Sequence, residues 1–300
     1  MTRFLAAQAP RTADGHPDLQ GTWSAMTLTP LERPAEFKGK ANVTDEEARA
    51  YEKKDHANDT DAGASAAEAA IDKAEKAVGA RDSQFWDEAP QLARVHGMKR
   101  TSLIVDPPDG KMPTRTPEGT RRMEAATEAV NRYDRAQDRP LSERCLPDSE
   151  IPIIPSGVND FYQIVQTPDH IMILAEIVHD ARIVRMNGTH PPAGIRQWLG
   201  DSIGHWEGDT LVVDTTNFND QLASAGTSGH LHVIEQFSLL DANTLLYRAT
   251  VDDPEMFQKT WTIEYPWAAA GKPIFEYACH EGNSSLSAIL AGARKSESGK

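Results

Sequence analysis

From Phe161 to Glu281 the chain runs in short β-rich stretches with little helical periodicity. The pattern places strands at 161–167, 170–179, 181–187, 203–206, 210–218, 230–240, 244–252, 258–265 and 273–281. Turn chemistry separates them: Pro168-Asp169, Asn187-Gly188 and Glu207-Gly208-Asp209. Asn-Gly between β-rich runs predicts a hairpin, because a type I′ turn needs positive φ at both central residues. Short strands at regular spacing, with no helices between them, predict an antiparallel barrel or sandwich. The 170–179 run is apolar on both faces, with Met172, Leu174 and Val178 on one side and Ile171, Ile173 and Ile177 on the other. A strand covered on both faces favours a closed barrel wrapped by N-terminal helices.

Ahead of that region the pattern changes. Residues 11–37 are rich in Pro, Gly and Asp and predict an extended arm with one short strand near Thr22 to Met26. Gly21-Thr22-Trp23 resembles the Gly-x-Trp of the first strand in lipocalin-type barrels, where the Trp closes the barrel floor; an edge Trp packed on a core is the plainer reading. Thr44-Asp45-Glu46-Glu47 is a capping box and starts a helix over about 45–56. The Ala-rich run 64–80 predicts a second helix, a peripheral lid or arm with little to bury, and Phe85 and Trp86 are its expected anchors to the main body. A strand at 100–105 ends at Asp106-Pro107-Pro108-Asp109-Gly110. Thr116 followed by Pro117 starts a helix to about 136, with Met123, Ala126, Val130 and Tyr133 as its apolar stripe. A short helix over 284–293 closes the chain. The expected domains are therefore 1–40, an extended arm with one short strand; 41–98, a helical insert or lid; and 99–300, a β-barrel domain with one helix at about 117–136.

Composition narrows the function classes. With 300 residues, 39% of them apolar, the chain is long enough for a well-buried core, and no apolar run is long enough to cross a bilayer as a helix. A net charge of −14 without a basic patch argues against nucleic-acid partners. Much of that acidity sits in 45–88, which holds thirteen acids and six bases. Cys145 and Cys279 permit one disulfide and no thiolate zinc cage. The opening MTRFLAAQAP is shorter than a full signal peptide, so the cytoplasm and the periplasm both stay open.

Four constellations carry candidate chemistry. Glu176, His179, Asp180 and Arg182 cluster at a hairpin end, where an Asp can orient an imidazole for proton transfer. By strand parity Glu176 and His179 fall on opposite faces unless a bulge intervenes. Tyr277, Cys279 and His280 close a strand with polar groups at a barrel mouth, where ligands enter. His230 and His232 share one strand face about 7 Å apart, which suits a metal, with Glu235 on the other face. That His-x-His resembles the first cupin motif, although the Glu comes one residue too early. Arg196, Trp198 and Trp206 form an aromatic and cationic group able to stack on a ligand. Each has a plain structural alternative: an exposed turn, a terminal histidine, or aromatic plugs at a barrel end. The chain carries no GxSxG elbow, P-loop, HExxH or Rossmann fingerprint, which disfavours those chemistries.

The phrases DGHPDLQGTW, RTSLIVDPPDGKMP, GDSIGHWEGDTLVVDTTNFN and YACHEGN, spread over most of 13–293, resemble a large bacterial family of mostly uncharacterised, commonly exported proteins. The resemblance implies export and carries no activity. The long Ala/Glu/Lys insert at 45–80 and the short N-terminus depart from the family pattern. The expectation is a mainly β, antiparallel lipocalin-like (calycin-like) barrel with an N-terminal helical arm. Its leading function is cofactor-independent acid–base catalysis, of lyase, isomerase or hydrolase type, on a small, partly apolar substrate. His179 or His280, with Asp180, would carry the proton, and Tyr162, Tyr277, Arg182, Glu176, Arg196, Trp198, Trp206 and His232 would hold or polarise the substrate. The alternatives are a non-catalytic ligand-binding barrel and a cupin-like divalent-metal enzyme using His230 and His232. No organic cofactor, nucleic acid or membrane partner is expected, and a homo-oligomer is compatible with the sequence.

Overall fold

The structure is a computed structural model and describes residues 10–61, 91–146, 151–156, 160–220 and 226–298. The expected helix at 64–80 and the anchors Phe85 and Trp86 lie outside them. In chain order, β1 (Gly21–Ser24) belongs to the barrel, while β2 (Asn42–Val43), β3 (Arg94–Val95) and β4 (Met98–Arg100) make a small separate sheet. Next come β5 (Ile104–Asp106), β6 (Phe161–Gln166), β7 (His170–Ala175), β8 (Ala181–Met186), β9 (Asp201–Glu207), β10 (Thr210–Thr216), β11 (His232–Asp241), β12 (Thr244–Asp252) and β13 (Trp261–Ala269). Nine strands close a barrel in the order β1-β6-β7-β8-β9-β10-β11-β12-β13 and back to β1, where Trp23 pairs with Ala269. β5 adds a tenth strand along the first half of β13, pairing Ile104 with Ile263. The strand of the N-terminal arm is thus a barrel stave.

Period-two patterning fills the interior. Val233, Glu235 and Phe237 of β11 point inward, as do Leu245, Tyr247, Ala249 and Val251 of β12 and Ile263, Tyr265 and Trp267 of β13. Trp267 sits at the centre, stacked on Tyr162 and Tyr247 with centroids 5.0 Å away in each case and edge-on to Phe237 at 5.8 Å. Burying a side chain such as Phe237 contributes about 1.5–3 kcal/mol. Trp23 is buried too, and its indole N–H donates to the Leu19 carbonyl at 2.9 Å.

Of the three α-helices among the described residues, two begin at the start signals read from the sequence. α1 (Asp45–Asp61) opens with the reciprocal capping box: the Thr44 N–H donates to Glu47 Oε2 at 2.9 Å, and the Glu47 N–H to Thr44 Oγ1 at 3.2 Å. α2 (Pro117–Val130) is capped by Thr116 Oγ1, which accepts from the Gly119 N–H at 2.9 Å. It stops at Val130, short of 136, where Asn131 caps it. α3 (Ser285–Ser298) runs past the expected 293.

Several expectations need correcting. The barrel is mixed, because β8 and β9 run parallel, with Val184 beside Ser202. Asn187-Gly188 therefore makes no hairpin: Asn187 takes the left-handed conformation (φ 53°), but Pro191 and Pro192 bring no N–H for a returning ladder. The chain instead crosses through 187–200. β7 ends at Ala175, not 179. There the Ala175 N–H donates to the Asp180 carbonyl at 2.9 Å, and Val178 and His179 turn through φ 58° and 57°. The strand expected at 258–265 begins at Trp261 and continues to Ala269. No strand forms at 273–281, because β12 holds one edge of β13 while β1 and β5 share the other.

Candidate functional site

At one end of the barrel an open cleft of about 1430 Å³ lies between α2, the Ile151–Ile154 segment and the barrel rim. Its walls are mainly apolar, with Met112, Met123, Trp198, Phe218, Phe257 and Trp261. α2 supplies one wall through Thr120, Met123, Glu124, Thr127 and Glu128, which share a face at helical spacing. Close approach sets this wall: a Cβ on Gly119 would lie 2.3 Å from the Met256 carbonyl oxygen. The charged groups of the lining are Glu32, Glu124, Glu128 and Arg115, and Glu32 and Glu128 are paired with Lys111 and Arg132.

Beneath the cleft, inside the barrel, lies a buried polar group. Arg182 of β8 forms a bidentate ion pair with Glu235 of β11: Nη1 donates to Oε2, and Nη2 to Oε1 at 3.0 Å. Tyr247 donates its hydroxyl to Glu235 Oε1 at 2.9 Å and accepts from the Ile153 N–H at 2.9 Å. Tyr265 donates to the Ile153 carbonyl at 2.9 Å. Ile153 is thus hung across the interior by two tyrosines. Burial opposes the charge of Arg182, but the attraction and hydrogen bonds of Glu235 outweigh it, and the guanidinium stays raised above its ordinary value. Burial, then the charge of Glu235, pushes the Tyr247 hydroxyl well above the ordinary value of 10.0. A void of about 20 Å³ touches Arg182, Asp180, Tyr162 and Ile173, and Ile151 and Leu199 line both this void and the cleft.

The structure separates the residues of the first constellation. Arg182 and Tyr162 reach the interior, and Asp180 borders the void. Glu176 and His179 leave the strand and serve the C-terminal segment: Glu176 Oε1 accepts from the Phe275 N–H at 3.0 Å, and His179 Nδ1 from the Tyr277 N–H at 3.1 Å. The bend after Ala175 thus brings both to one segment, against their strand parity. Cys279 is joined to Cys145, which ties that segment to the loop before the Ile151–Ile154 crossing. His280 is exposed in a turn, and neither it nor Tyr277 lines the cleft.

The aromatic group also divides. Trp198 lines the cleft, Trp206 stacks on His16 at 4.6 Å, and Arg196 Nη1 donates to the carbonyls of Phe218 (3.0 Å) and Gly229 (2.7 Å). His230 and His232 do not converge. His230 lies before β11 and bonds Glu255 at 2.7 Å, whereas His232 bonds Asp214 at 2.9 Å. Glu235 faces inward, opposite His232 as parity requires. Among the described residues no group of three or more His, Cys, Asp or Glu side chains is arranged to hold a metal ion.

Sequence reasoning missed three things. The inward carboxylate Glu235 was legible as a charge between Val233 and Phe237 on an apolar register, but its partner was not. The cleft residues Met112, Phe257 and Trp261 share no motif. A hydrogen-bonded chain on the outer barrel face, Asp201–His190–Asp214–His232, also passed unnoticed. His190 Nδ1 lies 2.7 Å from Asp201 Oδ1, and its Nε2 3.2 Å from Asp214 Oδ1. His232 holds the Asp214 carboxyl below its ordinary value through their hydrogen bond, and Asp214 raises His232 in the same way. What fold and site define is a closed, interior-filled barrel with an apolar cleft at one end. Comparison with protein-family models, curated proteins and solved structures finds no match to the chain.

Proposed function

We propose that the protein takes a small, partly apolar molecule into the cleft at the barrel end. The observation that supports this is the cleft itself: about 1430 Å³, open, with aromatic and methionine walls on the barrel, somewhat above the usual size of small-molecule sites. The lipocalin-like part of the expectation then concerns the mouth, because aromatic side chains fill the interior. Nile red, a neutral dye that brightens in apolar surroundings, tests the reading. The expected result is saturable binding that Trp198→Ala weakens about tenfold, equivalent to about 1.4 kcal/mol. Binding that is absent, or unchanged in Trp198→Ala and in Met123→Ala, overturns it.

A second reading, acid–base catalysis of lyase, isomerase or hydrolase type without an organic cofactor, is favoured by the Arg182–Glu235–Tyr247 group. A buried ion pair stabilises a fold no better than well-packed apolar residues do, so its presence under a ligand cleft suits chemistry. In this reading Arg182 polarises the substrate, and His179 and His280 lose the proton-carrying role. We also infer membership of the commonly exported bacterial family that the four phrases resemble, and the Cys145–Cys279 disulfide suits the oxidising compartment that export implies.

A further inference from the structure

Arg182 has more donors than its partner uses. A guanidinium carries five N–H groups. Two are taken by Glu235, and the others meet no protein acceptor among the described residues. The side chain is only 6% exposed, and what it exposes lies against the void of about 20 Å³ that Tyr162, Asp180 and Ile173 also line. That space holds one oxygen-sized atom. It adjoins the cleft at Ile151 and Leu199, which line both spaces. A buried cation with spare donors, in a space that adjoins an apolar cleft, is suited to accept a ligand oxygen.

The charge of that oxygen follows from the surroundings. Glu235 already neutralises Arg182, so the ion pair as a whole offers an anion no net positive charge. A carboxylate ligand would bring an uncompensated negative charge into a low-dielectric interior, which is strongly unfavourable. A neutral carbonyl gains the charge-assisted hydrogen bond without that cost. Resting on the cleft reading above, we propose that the ligand is an uncharged carbonyl compound with an apolar, aromatic-sized body. Its body lies in the cleft, and its carbonyl sits where the two spaces adjoin, between Ile151 and Leu199, with the oxygen accepting from Arg182.

Benzophenone, diphenylmethane and diphenylacetate share one skeleton and differ in carrying a carbonyl, no oxygen or a carboxylate, so they separate the terms. The expected order for the folded, disulfide-intact protein is benzophenone at least tenfold tighter than either of the others, measured by displacement of Nile red. Arg182→Met/Glu235→Leu removes both charges together and should bind benzophenone and diphenylmethane alike. Equal affinities in the wild type, or a carbonyl preference that persists in the double variant, overturn the proposal. Benzophenone supplies an independent readout should that variant fail to fold, because under near-ultraviolet light its carbonyl inserts into adjacent C–H bonds. Insertion in the wild type at Ile153 or Ile173, which touch the inner void and not the cleft, is expected; a pattern lacking both overturns the proposal. Nile red bound without benzophenone defeats this inference alone, whereas failure of every probe defeats the cleft reading with it.

Discussion

Arg182 and Glu235 stand 53 residues apart in the chain and meet inside the barrel through two parallel hydrogen bonds, with Glu235 fully buried. Removing one partner leaves a buried charge without compensation. Glu235→Leu is therefore expected to cost about 3–5 kcal/mol, and Arg182→Met/Glu235→Leu far less. Urea denaturation of the two variants checks this, and equal losses would show that the pair is not the unit of stability.

Gly119 sets two tendencies against each other. Alanine favours a helix over glycine by about 1 kcal/mol, but a Cβ here lies 2.3 Å from a backbone oxygen of Met256. Backbone cannot yield as a flexible side chain does, so overpacking wins. Gly119→Ala should destabilise by about 1–3 kcal/mol and move α2 at the cleft wall, read as a lowered midpoint and weaker Nile red binding.

The disulfide closes a long segment, with Cys145 and Cys279 separated by 134 positions. The chain-entropy account assigns such a loop about 4–5 kcal/mol. Cys145→Ser/Cys279→Ser is expected to lower the melting temperature under non-reducing conditions and to abolish the effect of dithiothreitol on it. A double variant as stable as the parent would contradict this.

Asp214 and His232 give a pH window. The carboxyl is lowered below its ordinary value of 3.8, so its share of stability is full above that value and fades as pH falls through the lowered one. The imidazole is raised above 6.5, so its share is full below 6.5 and is lost as pH rises through the raised value. The pair therefore contributes most between about pH 4 and 6.5. His190 on Asp214, and Asp252 across from His232, act on the same two groups. Asp214→Asn should flatten stability across this window and return the His232 titration, followed by NMR, toward its ordinary position.

The sequence by itself determined the local grammar: the caps at Thr44 and Thr116, the Glu207-Gly208-Asp209 turn, the period-two runs of β10 to β12, and hence a mainly β fold of barrel or sandwich type. Those features depend on neighbours within a few residues, and neighbours in sequence are what a chain displays. Tertiary structure decided the rest. It made 187–200 a crossover where Asn187-Gly188 signalled a hairpin, it left 273–281 without a strand because β13 had no free edge, and it drew Cys279 to Cys145. It also paired Arg182 with Glu235, sent His179 to the C-terminal segment, and built the cleft from α2, Trp198 and Trp261. Each of these depends on which distant segment occupies a given edge or interior position, and that competition is resolved only when the barrel closes.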